Sequence, residues 1–190
     1  MQARVRSGDL PNPDSDIAAN MYEHAVSYLE AHDYRQYEIS NWAEKRHYHE
    51  SKHNIQYWRN LPYIGIGAGA HSWYKQYRYS NIKSPYGYID RINTNINTHH
   101  KCPGTTAMIQ SQYIDKTTEM NETMMLGMRL VRDGVSHNTF ENRFGVALSN
   151  QYKDILKQLS AKGLIHNNIN GVNLTAAGQL LANRVFSEFV

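Results

Sequence analysis

The sequence predicts an α/β region followed by a mainly helical, winged-helix-like region. Two observations predict this division: helix and strand patterns alternate in the first half, and helical stripes with one hairpin follow the breaker Pro103-Gly104. We therefore expect one domain at residues 1–104 and a second at residues 105–190. A chain of 190 residues with a hydrophobic content of 41% suits one or two small domains.

The first predicted element is an amphipathic helix that ends near His32. Asp14 is its candidate N-cap, and Asp16 lies in the first turn, where the helix dipole favours a carboxylate. A short strand in YRQYEIS follows, and a long polar loop is expected over residues 41–56. The apolar positions of the helix recur at helical spacing: Ile17, Met21, Ala25, Tyr28 and Leu29.

Residues 62–74, PYIGIGAGAHSWY, predict a second strand that runs into glycines, and RYSNIKSP predicts a third. The glycines alternate singly and no helix follows them, so the run is a poor phosphate cradle. Small residues at alternate positions let a ligand or a neighbouring helix approach the backbone. Ser84-Pro85 opens another helix. A parallel sheet with so few strands would leave one face uncovered, so this region looks incomplete.

The second half predicts four helical segments and one hairpin. The first helix spans Met120 to Val131, and the second is capped by Ser136 and ends at Gly145. The hairpin is expected to turn at Asn170-Gly171. The remaining signals are a third helical stripe (Tyr152, Ile155, Leu156 and Leu159, stopped by Gly163) and a final helix capped by Thr175. This order is typical of a winged-helix-like module.

Composition excludes several classes of protein. Cys102 is the single cysteine, so neither a disulfide framework nor a zinc or iron–sulfur site built from several cysteines of this chain is expected. The N-terminus lacks the apolar segment of a signal peptide, and no apolar run approaches the length of a membrane helix. A net charge of +3 is ordinary for a soluble protein. We therefore expect a cytoplasmic location.

Three histidines, His47, His49 and His53, crowd one polar segment. Imidazole is a good ligand for zinc and for haem iron, and Glu44, Glu50 and Cys102 are further candidate ligands. The spacing His-x-His-x3-His matches no closed zinc site. The pattern therefore favours a solvated loop, and no metal site is predicted.

The motif HNIQYW begins at His53 and places Tyr57 and Trp58 close behind an imidazole. A single axial histidine can hold haem iron, and aromatic rings stack on flat macrocycles. The alternative is structural: Tyr57 and Trp58 pack against the next strand while Asn54 caps a turn. Spacing alone favours the structural alternative.

Two further functions leave only weak signals. The candidate recognition helix NQYKDILKQLSAKG carries Lys153, Lys157 and Lys162 but no arginine, so nucleic-acid binding by the winged-helix-like region is a weak alternative. No G-x-S-x-G elbow is present, so no catalytic triad is predicted.

Several blocks occur in an order that is specific to one family. They are QYEISNWA, SKHNIQYWRN, YIGIGAGAHS, ETMMLGMRL, GVS with the following RFG, and LTAAGQLLANRVFSEF. With these blocks, nearly the whole chain resembles the C-terminal half of the oxygen-independent coproporphyrinogen III oxidase-like family, and most closely its haem-chaperone branch.

The resemblance implies a radical S-adenosylmethionine protein whose C-terminal half completes a partial β/α barrel and adds the winged-helix-like domain. In the chaperone branch the motif HNxxYW is associated with haem binding, which carries over to His53, Asn54, Tyr57 and Trp58. In the oxidase branch the strand matching GIGAGAHS touches S-adenosylmethionine, which carries over tentatively to Ala70 and His71. His71 replaces an aliphatic residue of the oxidases, and this difference puts the oxidase activity in doubt.

The chain departs from the family pattern at three places. The C-x3-C-x2-C motif that binds a [4Fe–4S] cluster is absent, so S-adenosylmethionine and the cluster are expected only in a full-length protein, and this chain alone is not expected to be an enzyme. The segment EKRHYHE is longer than in relatives and adds His47 and His49. Asp33 stands where glycine is common.

The resemblance also implies the partners. Haem, bound covalently or not, would be delivered to a haem-accepting protein, and the chain would adjoin an N-terminal radical S-adenosylmethionine half. Association with a membrane surface is expected only through the accepting protein, and no nucleic acid is expected. The main alternative is the oxidase itself, which would decarboxylate the propionates of coproporphyrinogen III with a 5′-deoxyadenosyl radical.

Overall fold

The computed structural model describes residues 2–9, 11, 14–47, 49–94 and 104–190. Cys102 and Pro103 lie outside the described residues. The N-terminal region, residues 2–94, contains α1 (Gln2–Arg6), α2 (Ser15–Ala31), β1 (Tyr34–Glu38), β2 (Asn41–Glu44), α3 (Lys52–Trp58), β3 (His71–Tyr74), β4 (Tyr77–Asn81) and α4 (Pro85–Thr94). The C-terminal region, residues 104–190, contains β5 (Met108–Tyr113), α5 (Lys116–Gly127), β6 (Val135–Ser136), α6 (His137–Phe144), α7 (Leu148–Gln151), α8 (Lys153–Ala161), β7 (Ile165–Asn167), β8 (Gly171–Leu174), α9 (Ala176–Leu180), α10 (Ala182–Phe186) and a final 3-10 turn, Ser187–Phe189.

This mixture of helices and strands confirms the predicted fold class. The strands form three sheets in the described part of the chain, ordered β1-β2, β3-β4-β5 and β6-β8-β7, and each pairing within them is antiparallel. None of the described helices is both long and apolar enough to cross a membrane.

Helix α2 forms as predicted. The Asp14 carboxylate accepts hydrogen bonds from the backbone N–H groups of Asp16 at 2.9 Å and Ile17 at 3.1 Å, and the helix ends where His32 forms its C-cap. Asp33 follows with φ of 64°, in the left-handed region that glycine adopts most readily. This conformation explains why glycine suits that position. No residue of α2 is buried.

The polar loop predicted over residues 41–56 is wrong. Asn41–Glu44 form β2, which pairs with β1 and buries Ala43. The Ser51 hydroxyl then accepts a hydrogen bond from the backbone N–H of Asn54, at 3.3 Å, and caps α3. The prediction missed this element because α3 is short and its cap lies within a run of polar residues.

The strand predicted over residues 62–74 is interrupted. The backbones of Tyr63 and Trp73 pair through hydrogen bonds of 2.7 and 2.9 Å, and the glycine-rich residues between them form a loop that leads into β3. β4 forms within the predicted third strand, and α4 begins at the predicted Pro85.

β5 was not predicted because its residues lack apolar alternation: five of its six residues are exposed. β5 pairs with β4, so one sheet contains strands from both sides of the predicted boundary at residue 104. The division into two domains stays a prediction.

The helical signals of the C-terminal region are confirmed with small shifts. α5 begins at Lys116 rather than Met120, because Asp115 accepts from the backbone N–H of Thr118 at 2.8 Å. Ser136 caps α6, and Gly145 ends it with φ of 67°. The final helix begins after Thr175, as predicted, but divides into α9 and α10.

The predicted hairpin forms, but its turn differs from a two-residue Asn-Gly turn. Residues 168–170 form the loop, and the Asn168 side chain accepts from the backbone N–H groups of Asn170 and Gly171. Gly171 already belongs to β8. A Cβ on Gly171 would lie 2.4 Å from the carbonyl oxygen of Val135, so glycine is needed for strand packing rather than for the turn.

The main hydrophobic core lies in the C-terminal region. Phe140 packs against Phe144 and Tyr152, at ring-centroid distances of 4.7 and 6.1 Å. The backbone of β1 joins this region through hydrogen bonds from Ile39 N–H to Arg129 O and from Val131 N–H to Tyr37 O, at 3.1 and 3.2 Å. The least exposed large side chains of the core are Met124, Met128, Phe140, Leu148, Leu159, Leu174, Val172 and Val185.

Candidate functional site

Helix α3 carries the motif HNIQYW and presents two of its residues on an outer face. His53 and Tyr57 are one turn apart, and their rings meet edge to face with centroids 4.8 Å apart. The Tyr57 ring in turn contacts Tyr63 at 4.6 Å. His53 is exposed, and within the described part of the chain no group hydrogen-bonds its imidazole. The imidazole nitrogens are therefore available to a ligand.

This face of α3 opens on a shallow groove with a volume of about 470 Å³. The groove runs between α3 and the segments that flank the glycine-rich loop, and the lining residue Gln56 donates from Nε2 to the Pro62 carbonyl at 3.0 Å. Burial raises the pKa of the Tyr63 phenol, so this ring stays neutral at physiological pH. The lining residues are His53, Gln56, Tyr57, Pro62, Tyr63, Ile64 and Tyr74.

Tyr63 and Tyr74 were not predicted as site residues. Tyr74 is distant from HNIQYW in the sequence, and the backbone pairing of Tyr63 with the neighbouring Trp73 brings Tyr74 beside α3. Two aromatic residues flanking a glycine-rich run were the available signal.

The other two residues of the motif face the interior. Asn54 donates from Nδ2 to Oε1 of Glu38 at 3.0 Å, and Asn41 donates to the same carboxylate oxygen. Glu38 is only 2% exposed, and these hydrogen bonds satisfy Oε1 of its buried carboxylate, whereas Oε2 has no hydrogen-bond partner among the described residues. The ring of Trp58 lies 5.1 Å from the guanidinium carbon of Arg129. Asn54 and Trp58 therefore anchor α3, whereas His53 and Tyr57 face outward.

The structural alternative for the motif is partly wrong. Ser51 rather than Asn54 provides the cap, since the Asn54 side chain is bound to Glu38. Tyr57 does contact the following segment, through Tyr63, as that alternative expected.

The histidine-rich segment before α3 has its own contacts. His47 hydrogen-bonds the carboxylate of Glu44 at 3.0 Å and stacks on His49, with ring centroids 5.4 Å apart. Glu50 pairs with Arg35 at 3.2 Å. No group of three histidine, cysteine, aspartate or glutamate side chains with the arrangement of a metal site occurs among the described residues, which do not include Cys102.

The glycine-rich loop folds onto its own backbone. A Cβ on Gly65 would lie 2.2 Å from the carbonyl oxygen of His71, so the close approach is made by neither a ligand nor a helix. The Gly65 N–H donates to Ser72 Oγ at 2.9 Å, and Asn81 donates from Nδ2 to the Gly67 carbonyl at 3.0 Å. Ser72 and Asn81 are both buried, and they hold the loop rigid.

Ala70 and His71 lie at the end of this loop. The Ala70 carbonyl accepts from the Asn81 N–H at 2.9 Å, and His71 is exposed at the first position of β3. Neither residue lines the groove beside α3. The two sets of predicted site residues therefore occupy separate places.

Comparisons with known proteins agree on one family. A family model described as the HemN C-terminal domain matches residues 114–181. The chain is 37% identical to the heme chaperone HemW of Bacillus subtilis, over 98% of this chain and 46% of that protein. It is 33% identical to the heme chaperone HemW of Lactococcus lactis, again over 98% of this chain and 46% of the relative. The chain thus spans about half the length of the curated relatives it matches.

A solved structure shows the same fold. Coproporphyrinogen III oxidase (HemN) from Escherichia coli, described as a radical SAM enzyme, matches with a TM-score of 0.63 and 14% sequence identity, over 93% of this chain and 42% of that one.

Proposed function

The chain belongs to the HemN-like family of radical S-adenosylmethionine proteins, and we propose that it is part of a haem chaperone. It would bind haem on the outer face of α3 and release it to a haem protein. The observation that carries the proposal is the pairing of His53 and Tyr57 beside an aromatic groove. The relatives that cover nearly the whole chain are named heme chaperones, which makes the oxidase alternative the weaker one.

The chemistry of this face fits haem. A neutral imidazole is an axial ligand of haem iron, and no described group hydrogen-bonds the imidazole of His53. The rings of Tyr57, Tyr63 and Tyr74 supply aromatic surface for the macrocycle. Lys75 places its Nζ 5.4 Å from the ring centroid of Tyr74, which lines the groove, and this cation would pair with a propionate. A shallow groove suits a cargo that must be released.

We assign different roles to the four residues of the motif. His53 would coordinate the iron, and Tyr57 would shield the porphyrin face. Asn54 and Trp58 would hold α3 in place through Glu38 and Arg129. The accepting protein is proposed to take haem directly from the open side of the groove.

S-adenosylmethionine and a [4Fe–4S] cluster belong to the proposal only for the full-length protein. Three cysteine ligands cannot come from a chain with one cysteine. Ala70 and His71 are proposed to face S-adenosylmethionine, since the rigid loop before them leaves His71 exposed. A cytoplasmic location remains part of the same proposal.

We further propose that an N-terminal radical S-adenosylmethionine half covers the apolar faces of α2 and α4. Ile17 and Met21 on α2 are 58% and 68% exposed, and Tyr86 on α4 is 87% exposed. Exposed apolar surface of this kind marks an interaction site.

A haem titration followed by Soret absorbance tests the proposal. We expect saturable binding by the chain and a loss of at least about tenfold in affinity for His53→Ala, because the iron loses its axial ligand. His49→Ala is the matched control, since it removes an exposed histidine that does not line the groove. Equal affinities of the two variants would contradict the assignment of His53. Transfer to an apo haem protein, measured by the shift of the Soret band, tests the chaperone role.

A further inference from the structure

The C-terminal end of α3 is held by a side chain from the C-terminal region. Arg143, in the last turn of α6, donates from Nη2 to the Asn60 carbonyl at 2.7 Å and from Nη1 to the Arg59 carbonyl at 3.3 Å. These carbonyls lie just beyond Trp58, where a helix has unsatisfied acceptors and a partial negative charge. A guanidinium is therefore well placed to cap α3.

Glu119 of α5 fixes the guanidinium in this position. Its Oε1 accepts from Arg143 Nε at 3.0 Å and also from Nη2. The two side chains are only 13% and 23% exposed, so solvent screens the pair less than a surface ion pair. The arginine thereby links a carboxylate of α5 to the end of the haem-motif helix.

The residue that follows the C-cap Arg59 of α3 is itself constrained. Asn60 is buried and has φ of 49°, a left-handed conformation that is uncommon outside glycine. Its Nδ2 donates to Thr123 Oγ1 at 3.1 Å, and its N–H donates to the Tyr57 carbonyl at 2.9 Å. Asn60 thereby ties the backbone of Tyr57 to α5.

A second ion pair between the two regions does not touch α3. Arg78 of β4 donates from Nη1 and Nη2 to the two carboxylate oxygens of Glu122, at 3.1 and 2.9 Å. Glu122 lies on α5, three residues after Glu119. The two pairs share a helix and a chemistry, and they differ in whether the arginine reaches the end of α3.

We propose that Arg143 and Glu119 are positioning residues of the haem site, through which the C-terminal region sets the orientation of α3 and so of His53 and Tyr57. The inference rests on the proposed function of α3. Lysine cannot replace Arg143, because an ammonium lacks the planar fork that reaches two carbonyls and a carboxylate together. In this role the winged-helix-like region supports the ligand-binding face of its neighbour.

The contact of Arg143 and Glu119 with the end of α3 is called the clamp below. Amide hydrogen exchange of the haem-free chain tests this clamp without any ligand. We expect Glu119→Gln and Arg143→Lys to speed exchange of the α3 amides by about tenfold, because the last turn loses its fixed cap. Glu122→Gln, the matched control, should leave α3 exchange unchanged. Glu119→Gln preserves the shape of the side chain, so its effect on α3 exchange can be measured even where Arg143→Lys lowers the yield of folded protein. Equal α3 exchange in the Glu119→Gln and Glu122→Gln variants would overturn the inference.

Haem titration of the same variants connects the clamp to the site. Glu119→Gln and Arg143→Lys should weaken haem binding about fivefold and alter the Soret maximum of the complex, since His53 approaches iron less accurately. Tyr152→Phe, which removes a hydrogen bond of the C-terminal core that involves neither α3 nor the groove, should change neither quantity. Unchanged haem affinity and spectrum in Glu119→Gln would overturn the positioning role. Failure of the unsubstituted chain to bind haem would instead overturn the proposed function, while the exchange result would still decide the clamp.

Discussion

The two regions of the chain bury different chemistry. The C-terminal region closes a continuous core of methionine, phenylalanine, leucine and valine, in which Met124 and Val185 are fully buried. Helices α2 and α4 of the N-terminal region contain no buried residue, and several of their large apolar side chains are exposed. The N-terminal region buries fewer apolar side chains, such as Trp73 and Tyr79, and also buries polar side chains that hydrogen-bond: Gln36, Glu38, Asn60, Ser72 and Asn81.

The two kinds of buried side chain contribute differently: apolar ones mainly to the free energy of folding, and polar ones to a defined arrangement of their partners. Burial of apolar surface is the main source of folding free energy, and the C-terminal core provides most of it. Buried polar groups contribute less net free energy but require defined partners. In the N-terminal region those partners fix α3 through Glu38 and the glycine-rich loop through Asn81. The proposed ligand-binding face thus lies on the region in which buried hydrogen bonds hold α3 and the glycine-rich loop.

The largest expected effect comes from one substitution made in both regions. Met124→Ala should lower the free energy of unfolding by about 3 kcal/mol, because it leaves a cavity in a packed core. Met21→Ala, on the exposed face of α2, should change it by no more than about 0.5 kcal/mol. Urea unfolding followed by circular dichroism measures both values. Similar losses in the two variants would show that the face of α2 is covered in solution and would break the comparison.

The second prediction concerns the stability that the buried Tyr152 of the C-terminal region loses at alkaline pH. Burial in the C-terminal core raises the pKa of this phenol from 10.0 to about 12, and its hydroxyl donates to Asn121 Oδ1 at 2.7 Å. Between these two pH values the unfolded chain has lost a proton that the folded protein retains. The stabilisation is therefore complete below pH 10 and is lost as the pH rises to about 12, by a total of about 2 kcal/mol.

The comparison with Tyr152→Phe isolates this residue. Burial also raises the pKa of Tyr22, Tyr37 and Tyr63 in the N-terminal region, so the whole chain loses stability at alkaline pH. The free energy of unfolding of the unsubstituted chain minus that of Tyr152→Phe, measured by urea unfolding at a series of pH values, should fall by about 2 kcal/mol from pH 10 to pH 12. A constant difference over that range would show that Tyr152 does not titrate with a raised pKa.

Sequence patterns predicted the elements that carry local signals. Asp14, Ser136 and Thr175 are N-caps because their side-chain oxygens reach backbone N–H groups within their own first turn. β5 has no such signal, since its alternation is polar and its pairing with β4 depends on a distant strand. Local pattern therefore predicted helix ends better than sheet edges.

The candidate site was predictable only in part. The resemblance supplied His53, Asn54, Tyr57 and Trp58, but not the separation of these residues between two faces of α3. That separation depends on Glu38 and Arg129, which come from other elements. Tyr63 and Tyr74 join the groove through long-range backbone pairing, which a single sequence does not show.

Left-handed backbone positions give the last contrast between the regions. Among the described residues of the C-terminal region, each residue with positive φ is a glycine: Gly134, Gly145 and Gly163. The described part of the N-terminal region has four non-glycine residues in this conformation: Asp33, Asn60, Lys75 and Gln76. Lys75 and Gln76 form the two-residue turn between β3 and β4, where Asn-Gly would be the usual sequence. The hairpin therefore lacked its ordinary sequence signal.

The smallest effect on stability should follow from substituting a non-glycine residue by glycine, or a glycine by alanine, at these left-handed positions. Gln76→Gly should raise the free energy of unfolding by about 0.5 kcal/mol, because relief of left-handed strain exceeds the entropy that glycine adds to the unfolded chain. Gly163→Ala, with φ of 68° and open space around its Cβ position, should lower it by about 1 kcal/mol for the same reason. Urea unfolding measures both. If Gln76→Gly is destabilising, the hydrogen bond from the Tyr113 hydroxyl to Gln76 Oε1, at 3.4 Å, contributes more than the backbone strain costs. That result would make this turn another place where the N-terminal region accepts an unfavourable backbone in order to keep a side-chain contact.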